Sequence, residues 1–302
     1  MKHSKVYFMF AMLIFGSLGL FARSIELSSS QVALVRGIVG SLFLLAASHM
    51  MRQKLSWKAI RPNLLLLMLS GAAIGFNWIF LFQAYKYTTI PNATLSYYFA
   101  PVIVMFLSPL ILKERLTKAK IICIFSAIVG MYCIVGISGG AGNSNLRGIE
   151  YGLLAAVLYA SVILMNKFLK GLSGIETTLM QLGIASIVLL PYVLMTENVQ
   201  LNELDGKAWI LLLTVGIIHT GLAFLLYFTA IQKLSGQTIA VFSYVDPISA
   251  IIMSTILLGE QMTFVQVLGG ILILGATLLS EIYDKRHLTE SNPKCIETNS
   301  VE

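Results

Sequence analysis

Three ionisable side chains interrupt long apolar runs. Arg36 lies in Val32-Ala-Leu-Val-Arg-Gly-Ile-Val39, His219 in Thr214-Val-Gly-Ile-Ile-His219, and Asp246 in Ser243-Tyr-Val-Asp-Pro247. Within a bilayer a central charge costs about 2.5–3.5 kcal/mol on insertion scales, so such residues are candidates for a function. An aspartate there binds a proton or a cationic group, or is a buried acid held by hydroxyls. A histidine titrates near neutral pH, or is a hydrogen-bonded bundle residue. An arginine clamps a carboxylate, pairs with an acid or snorkels outward. Pro101 and Pro247 also fall inside apolar runs. Neither can donate to the carbonyl four residues back, those of Tyr97 and Ser243. Such breaks are tolerated at membrane depth where the freed groups face protein or a watery cavity. Tyr97, Tyr98 and Tyr244 flank these breaks, and other runs carry Asn77, Trp78, Tyr159, Gln181 and Tyr227. Aromatic walls with a few amides suit an amphipathic organic molecule better than a bare ion, although ordinary packing also uses such residues.

Other chemistries lack their residues. No His, Cys, Asp or Glu group has metal-ligand spacing, and neither a metal nor a cofactor is expected. Gly136-Ile-Ser-Gly-Gly140 matches the letters of a hydrolase elbow, but it ends an apolar run and lacks the strand-turn-helix setting. No clustered nucleophile and base appears, and no phosphate-binding Walker motif. An enzyme is therefore not expected. Cys123 and Cys133 lie too far apart on one run to bridge each other, and Cys295 sits in a polar tail.

The elements that must position these residues are apolar throughout. Of 302 residues, 57% are hydrophobic and 12% charged, against about 45–50% and about 25% in soluble domains. The net charge of +7 is scattered between apolar runs, which argues against nucleic acid as a partner. Ten runs are long enough to cross a bilayer: roughly 6–22, 32–50, 64–85, 93–112, 120–137, 148–169, 177–195, 209–230, 238–258 and 264–283. The first mimics a signal peptide but lacks an A-x-A-like site, and is read as an uncleaved helix. Placing the N-terminus in the cytoplasm puts sixteen of the 21 Lys and Arg on inner segments and four on outer ones, with Arg36 inside a span. That asymmetry follows the positive-inside rule and predicts cytoplasmic N- and C-termini.

A shift of 146 residues lays 82–117 over 228–263 without a gap. Phe82/Phe228, Ala84/Ala230, Tyr98/Tyr244, Pro101/Pro247, Ser108/Ser254, Glu114/Glu260 and Thr117/Thr263 are identical. Upstream, Phe15-Gly-Ser17 is similar to Tyr159-Ala-Ser161. Five spans per copy is an odd number, so the second copy enters from the opposite side. Lys113-Glu-Arg115 at the inner turn accordingly becomes Gly259-Glu-Gln261 at the outer one. Glu114 and Glu260 read first as turn-stabilising residues. Inverted repeats around a midplane site are a recurring transporter plan.

These features resemble the EamA-type transporters of the drug/metabolite transporter superfamily, from the first span to about residue 282. The resemblance rests on Ala33-Leu-Val-Arg36, and on Pro101 followed by Leu112-Lys-Glu-Arg-Leu-Thr117. It rests equally on Ser243-Tyr-Val-Asp-Pro247 followed by Leu258-Gly-Glu-Gln-Met-Thr263, with Gly269-Gly270 beyond. It implies a ten-helix bundle that exports, less often imports, amino acids and other small organic molecules. Two departures stand out. Asp246 occupies a place where the family more often shows Glu. The first span also lacks the acid that small multidrug relatives use to bind substrate, which weakens a multidrug cation reading.

The expectation is an all-α integral membrane protein with ten transmembrane helices as two inverted five-helix repeats. Residues 1–137 and 148–283 form the repeats, 138–147 the linker and 284–302 a disordered cytoplasmic tail. The expected partners are a small-molecule solute, membrane lipid and, through Asp246 and His219, protons. The expected function is secondary transport, chiefly export, across the plasma membrane by alternating access. The alternatives are a membrane-embedded enzyme, or a sensor or channel scaffold without transport. Spacings such as Gly130 with Gly136, or Gly269-Gly270 with Gly275, permit close helix contact. They fit a homodimer as well as packing within one bundle, and nothing else in the sequence indicates the dimer.

Overall fold

The computed structural model describes residues 2–52, 55–114, 116–138, 143–197 and 205–291, among which there is no strand. Ten helical stretches are long and apolar enough to cross a membrane. Seven spans are single helices: α1 (Lys2–Arg23), α2 (Ser29–Met50), α3 (Trp57–Tyr87), α6 (Lys118–Ser138), α7 (Asn143–Asn166), α8 (Gly174–Thr196) and α13 (Phe264–Ser291). The fourth span is divided into α4 (Ile90–Tyr97) and α5 (Ala100–Ile111), and the ninth into α11 (Gly236–Ser243) and α12 (Val245–Leu258). The eighth runs from α9 (Gly206–Gly216) through a π-helical turn, Ile217–Leu222, into α10 (Ala223–Ile231).

Local chemistry sets many of the helix starts. Ser28, Thr89, Ser173, Asp205 and Ser235 each cap a helix by accepting a backbone N–H with the side chain, which satisfies a donor that has no partner within the helix. At Ser173 the cap is reciprocal, because Glu176 accepts from the Ser173 N–H. The third helix begins at Trp57, ahead of the apolar run at 64, because polar residues continue a helix beyond the hydrocarbon. For the same reason α7 begins at Asn143, inside the expected linker, and α13 continues to Ser291, past the expected boundary at 283. Linker residues 139–142 and tail residues 292–302 lie outside the described residues.

The bundle turns large apolar side chains outward: Leu42, Phe106, Ile122, Phe125, Ile187, Ile210 and Ile256 are all exposed. Its interior includes Ser70, Asn77, Asn92, Ser96, Gln181 and Thr220. That distribution fits a lipid surround, where helices associate through close packing and hydrogen bonds and not by excluding water. Contacts between the two sets of five spans are reciprocal. The α1 helix packs on α10 and α12, and α7 packs correspondingly on α3 and on α4 and α5. Likewise α2 packs on α9 and the π-helical turn, while α8 packs on α3. The pairs α2 with α8, α4 with α12, and α6 with α13 join equivalent spans.

Glycine makes the last of these pairs possible. A Cβ at Gly130 would lie 2.6 Å from the Gly269 carbonyl oxygen, and one at Gly269 would lie 2.6 Å from that of Gly130. These two glycines of the small-residue pattern are therefore used within the chain. Gly136 and Gly275, by contrast, have open space. Gly130→Val forces α6 and α13 apart and is expected to lower stability by about 1–3 kcal/mol or more, the usual cost of overpacking. Gly136→Val is the control. Thermal melts of the detergent-purified variants would check this, and equal melting temperatures would contradict it.

Candidate functional site

The two divided spans have matching construction. Helices α4 and α11 are each eight residues long and begin behind a hydroxyl cap. At the first break the Tyr98 N–H donates to the Thr94 carbonyl at 2.8 Å, and Phe99 donates to Ser96 at 3.2 Å. At the second, Tyr244 donates to Val241 at 3.4 Å. Each proline lies in the first turn of the helix that follows its break. Its missing N–H is tolerated there, since a first turn has no intrahelical acceptors for its donors.

The breaks meet. The Tyr98 hydroxyl, from the first, donates to Asp246 Oδ2, beside the second, at 2.6 Å. The Tyr97 ring stands nearly perpendicular to that of Tyr98, with centroids 6.2 Å apart, and lies 5.3 Å from the ring of Tyr159 on α7. Asp246, Tyr97 and Tyr98 are only half-buried and Tyr159 is exposed, although their rings and polar groups face one another. On the other side of Asp246, α1 comes very close. A Cβ on Gly16 would lie 2.6 Å from the Asp246 carbonyl oxygen and 2.0 Å from Ser249 Oγ. The sequence pattern contains Gly16, but nothing in it identifies this contact.

Arg36 forms a second centre, on α2. Its Nε donates to Thr220 Oγ1 at 2.7 Å, and its guanidinium lies 4.2 Å from the Trp78 ring centroid and 5.6 Å from that of Phe82. Arg36 is buried, and its Nη1 has no hydrogen-bond partner. Two ion pairs join described side chains, Arg23–Glu260 and Lys120–Glu114, and neither involves Arg36. Tyr85 and Tyr97 each interact electrostatically with both Arg36 and Asp246.

The π-helical turn supplies both Thr220 and His219. Thr220 Oγ1 donates to the Val215 carbonyl, five residues back, at 3.0 Å. His219 Nδ1 is 3.3 Å from the Thr214 carbonyl and Nε2 is 2.9 Å from Ser17 Oγ on α1, while the Phe21 ring lies 4.6 Å away. The Thr214 carbonyl accepts from the ring when Nδ1 carries the proton, and Ser17 Oγ accepts when Nε2 carries it. Gly216 and Gly221 let α2 approach, since a Cβ on either would strike Val39 or Phe43. π-Turns recur at functional sites. The only sequence signal for this one is the pair of glycines around Ile217-Ile-His-Thr220.

Other sequence candidates are engaged elsewhere. Asn77 Nδ2 donates to the Ala155 carbonyl at 2.6 Å, tying α3 to α7. Gln181 Nε2 reaches Ser70 Oγ at 2.8 Å and Asn166 Oδ1 at 2.7 Å, joining α8 to α3 and α7. The Tyr244 hydroxyl donates to Thr277 Oγ1 on α13 at 2.8 Å. Tyr227 packs among Phe8, Phe15 and Phe228. Asp246, Tyr97, Tyr98 and Tyr159 are thus brought together, with Arg36, Trp78 and His219 in the adjoining centre.

Residues 4–136 and 146–281 each match the model of the EamA-like transporter family. The uncharacterized transporter YxxF of Bacillus subtilis is 32% identical over 276 residues, covering 89% of this chain and 86% of its own. An uncharacterized transporter of Archaeoglobus fulgidus is 25% identical over 285 residues, covering 93% and 97%. A solved crystal structure shares the fold with a TM-score of 0.64 at 16% identity, covering 95% of this chain and 99% of that one.

Proposed function

The chain belongs to the EamA-like transporter family and is a multi-pass membrane transporter, and we propose that it exports a small organic solute, an amino acid or similar metabolite, across the plasma membrane. The carrying observation is the Tyr98–Asp246 hydrogen bond, which joins the broken helices of the two halves at one point. Helix breaks at a repeat interface near the membrane midplane are where alternating-access transporters hold their cargo. The reading takes the halves as inverted repeats, 1–137 and 148–283, with both termini in the cytoplasm, an orientation that the distribution of Lys and Arg supports.

Arg36 is buried and Asp246 half-buried, and Tyr85 and Tyr97 each interact electrostatically with both. A solute with a carboxylate at one end matches the unused donor of Arg36. An ammonium at the other end matches Asp246 once Tyr98 releases it. The aromatic faces of Tyr97 and Tyr159 cover the body of the solute. Protons are the proposed coupling ion, because Asp246 and His219 both bind a proton reversibly and both touch α1, through Gly16 and Ser17.

Purified protein in vesicles, loaded with a panel of radiolabelled amino acids, tests the reading. Efflux is expected for some members of the panel, faster when the pH gradient drives protons the opposite way, and lost in Asp246→Asn. Flux that ignores the gradient and survives Asp246→Asn would sink the coupling. Absence of flux for the whole panel would sink the solute class.

A further inference from the structure

The repeat alignment and the ion pairs together point to a state of the protein other than the one observed. Glu260, in the turn after α12, joins three elements. Its Oε1 pairs with Arg23 at the end of α1, and its Oε2 accepts from the Ile90 N–H at the start of α4 at 2.9 Å. At this end the first-half helices are held by the second-half turn, and the Glu260 side chain is only 9% exposed. Two further contacts cross nearby: Glu197 at the end of α8 accepts from Ser28 and Ser30 ahead of and within α2, and Thr88 bonds Asn145 at 3.1 Å.

The 146-residue shift equates Glu260 with Glu114 and Ile90 with Gly236, each the first residue of an eight-residue half-helix behind its hydroxyl cap. The Phe15-Gly-Ser17 match to Tyr159-Ala-Ser161, a shift of 144, equates Arg23 with Lys167. Arg23 ends α1, and Lys167 immediately follows α7. The chain thus carries a second set in the same order with the halves interchanged, a carboxylate in the first half and a cation and a helix start in the second. Glu114 is nonetheless not joined to Lys167 here. It pairs with Lys120 in its own hairpin at 3.4 Å, and its side chain is 41% exposed.

We propose that Glu114 and Glu260 are alternating latches at opposite ends of the bundle. In the observed state Glu260 clamps α1 and α4. In the other state Glu260 releases them, and Glu114 leaves Lys120 to pair with Lys167 and take up the α11 start at Gly236. Each state makes one cross-half ion pair and one charge-assisted backbone bond, and the observed state adds the Glu114–Lys120 pair within the hairpin. The contacts of one state become those of the other with the halves interchanged, as the reciprocal helix packing requires. This inference rests on the alternating-access reading above. Its test needs no solute, so the two can fail separately.

The test is a distance measurement across the Glu114 end. Spin labels on cysteines placed at Leu116 and Phe168, both exposed, are introduced into the full chain with Cys123, Cys133 and Cys295 replaced. Glu260→Gln is expected to raise the ratio of the short to the long distance population by about tenfold, equivalent to about 1.4 kcal/mol. Adding Glu114→Gln is expected to cancel that rise. Arg23→Gln, which leaves the Glu260 bond to Ile90 intact, is expected to give a smaller shift in the same direction, and it serves where Glu260→Gln does not fold. An unchanged ratio in the folded single variants, or a rise that survives Glu114→Gln, would overturn the proposal. A rise in a protein that moves no solute would leave the latch standing and remove the transport reading.

Discussion

Tyr98→Phe and Asp246→Asn should each slow solute flux by about tenfold or more, while the double variant should be little worse than either single one. The hydroxyl donates to a carboxylate oxygen at 2.6 Å, within the short range of charge-assisted bonds. A hydrogen bond to a charged group contributes about 1.5–3 kcal/mol, a factor of about 10 to 150 in an equilibrium constant. Phenylalanine keeps the ring that faces Tyr97 but leaves Asp246 without its donor. Asparagine keeps an acceptor but removes the charge that would take up a proton or an ammonium group. Since both changes act on one contact, their effects should not add. Initial flux rates of the four proteins, normalised to the amount inserted in vesicles, give the coupling directly. Additive losses would mean that the two residues act independently, and the meeting of the breaks would then have no part in transport.

Much of the bundle was legible because a membrane imposes a coarse rule that apolar composition expresses directly. All ten expected spans correspond to helices, with boundaries displaced where polar residues extend the helix, as at Trp57 and Asn143. The breaks were legible too, because proline removes a donor wherever it stands, and a repeat makes the second occurrence informative. What sequence could not give was partnership. Asn77 and Gln181 have the types of lining residues, yet both bridge helices through their amides. Tyr85, absent from the sequence candidates, lies within reach of both Arg36 and Asp246. Whether an amide faces a neighbouring carbonyl or an open path depends on helix rotation, and an all-round apolar helix gives little periodicity from which to read it. The π-helical turn was hidden for a related reason, since one extra residue in a turn changes no composition.

Glu260 shows how a correct local reading can understate a residue. A glutamate ending a helix beside a turn looks like a turn residue, and Glu114 behaves as one, paired within its own hairpin. Only the fold reveals that Glu260 spans from its turn to α1 and α4. Under the latch proposal the difference between these equivalent positions reports on the conformation, and part of it is local, since Gln266 stands where the first half has Lys120.

Arg36→Met should leave the melting temperature unchanged or raise it, while flux of carboxylate-bearing solutes falls by about tenfold or more. The guanidinium is buried, with its Nη1 lacking a hydrogen-bond partner, one bond to Thr220 and the faces of Trp78 and Phe82 beside it. Desolvating a cation without a carboxylate is costly, and cation–π contact returns only about 2 kcal/mol when desolvated. Replacing a buried charge by an apolar residue of similar volume is commonly neutral or stabilising. Methionine fits the space flexibly, and Thr220 keeps its bond to the Val215 carbonyl. If Arg36 were there to hold α2 against the π-helical turn, the substitution would instead lower the melting temperature as much as it lowers flux. Opposite signs are what a binding residue predicts, because a site arranged for a ligand is destabilised until the ligand arrives. Arg36→Lys separates charge from geometry: a restored melting profile with flux still impaired would assign the role to the planar fork and not to the positive charge alone.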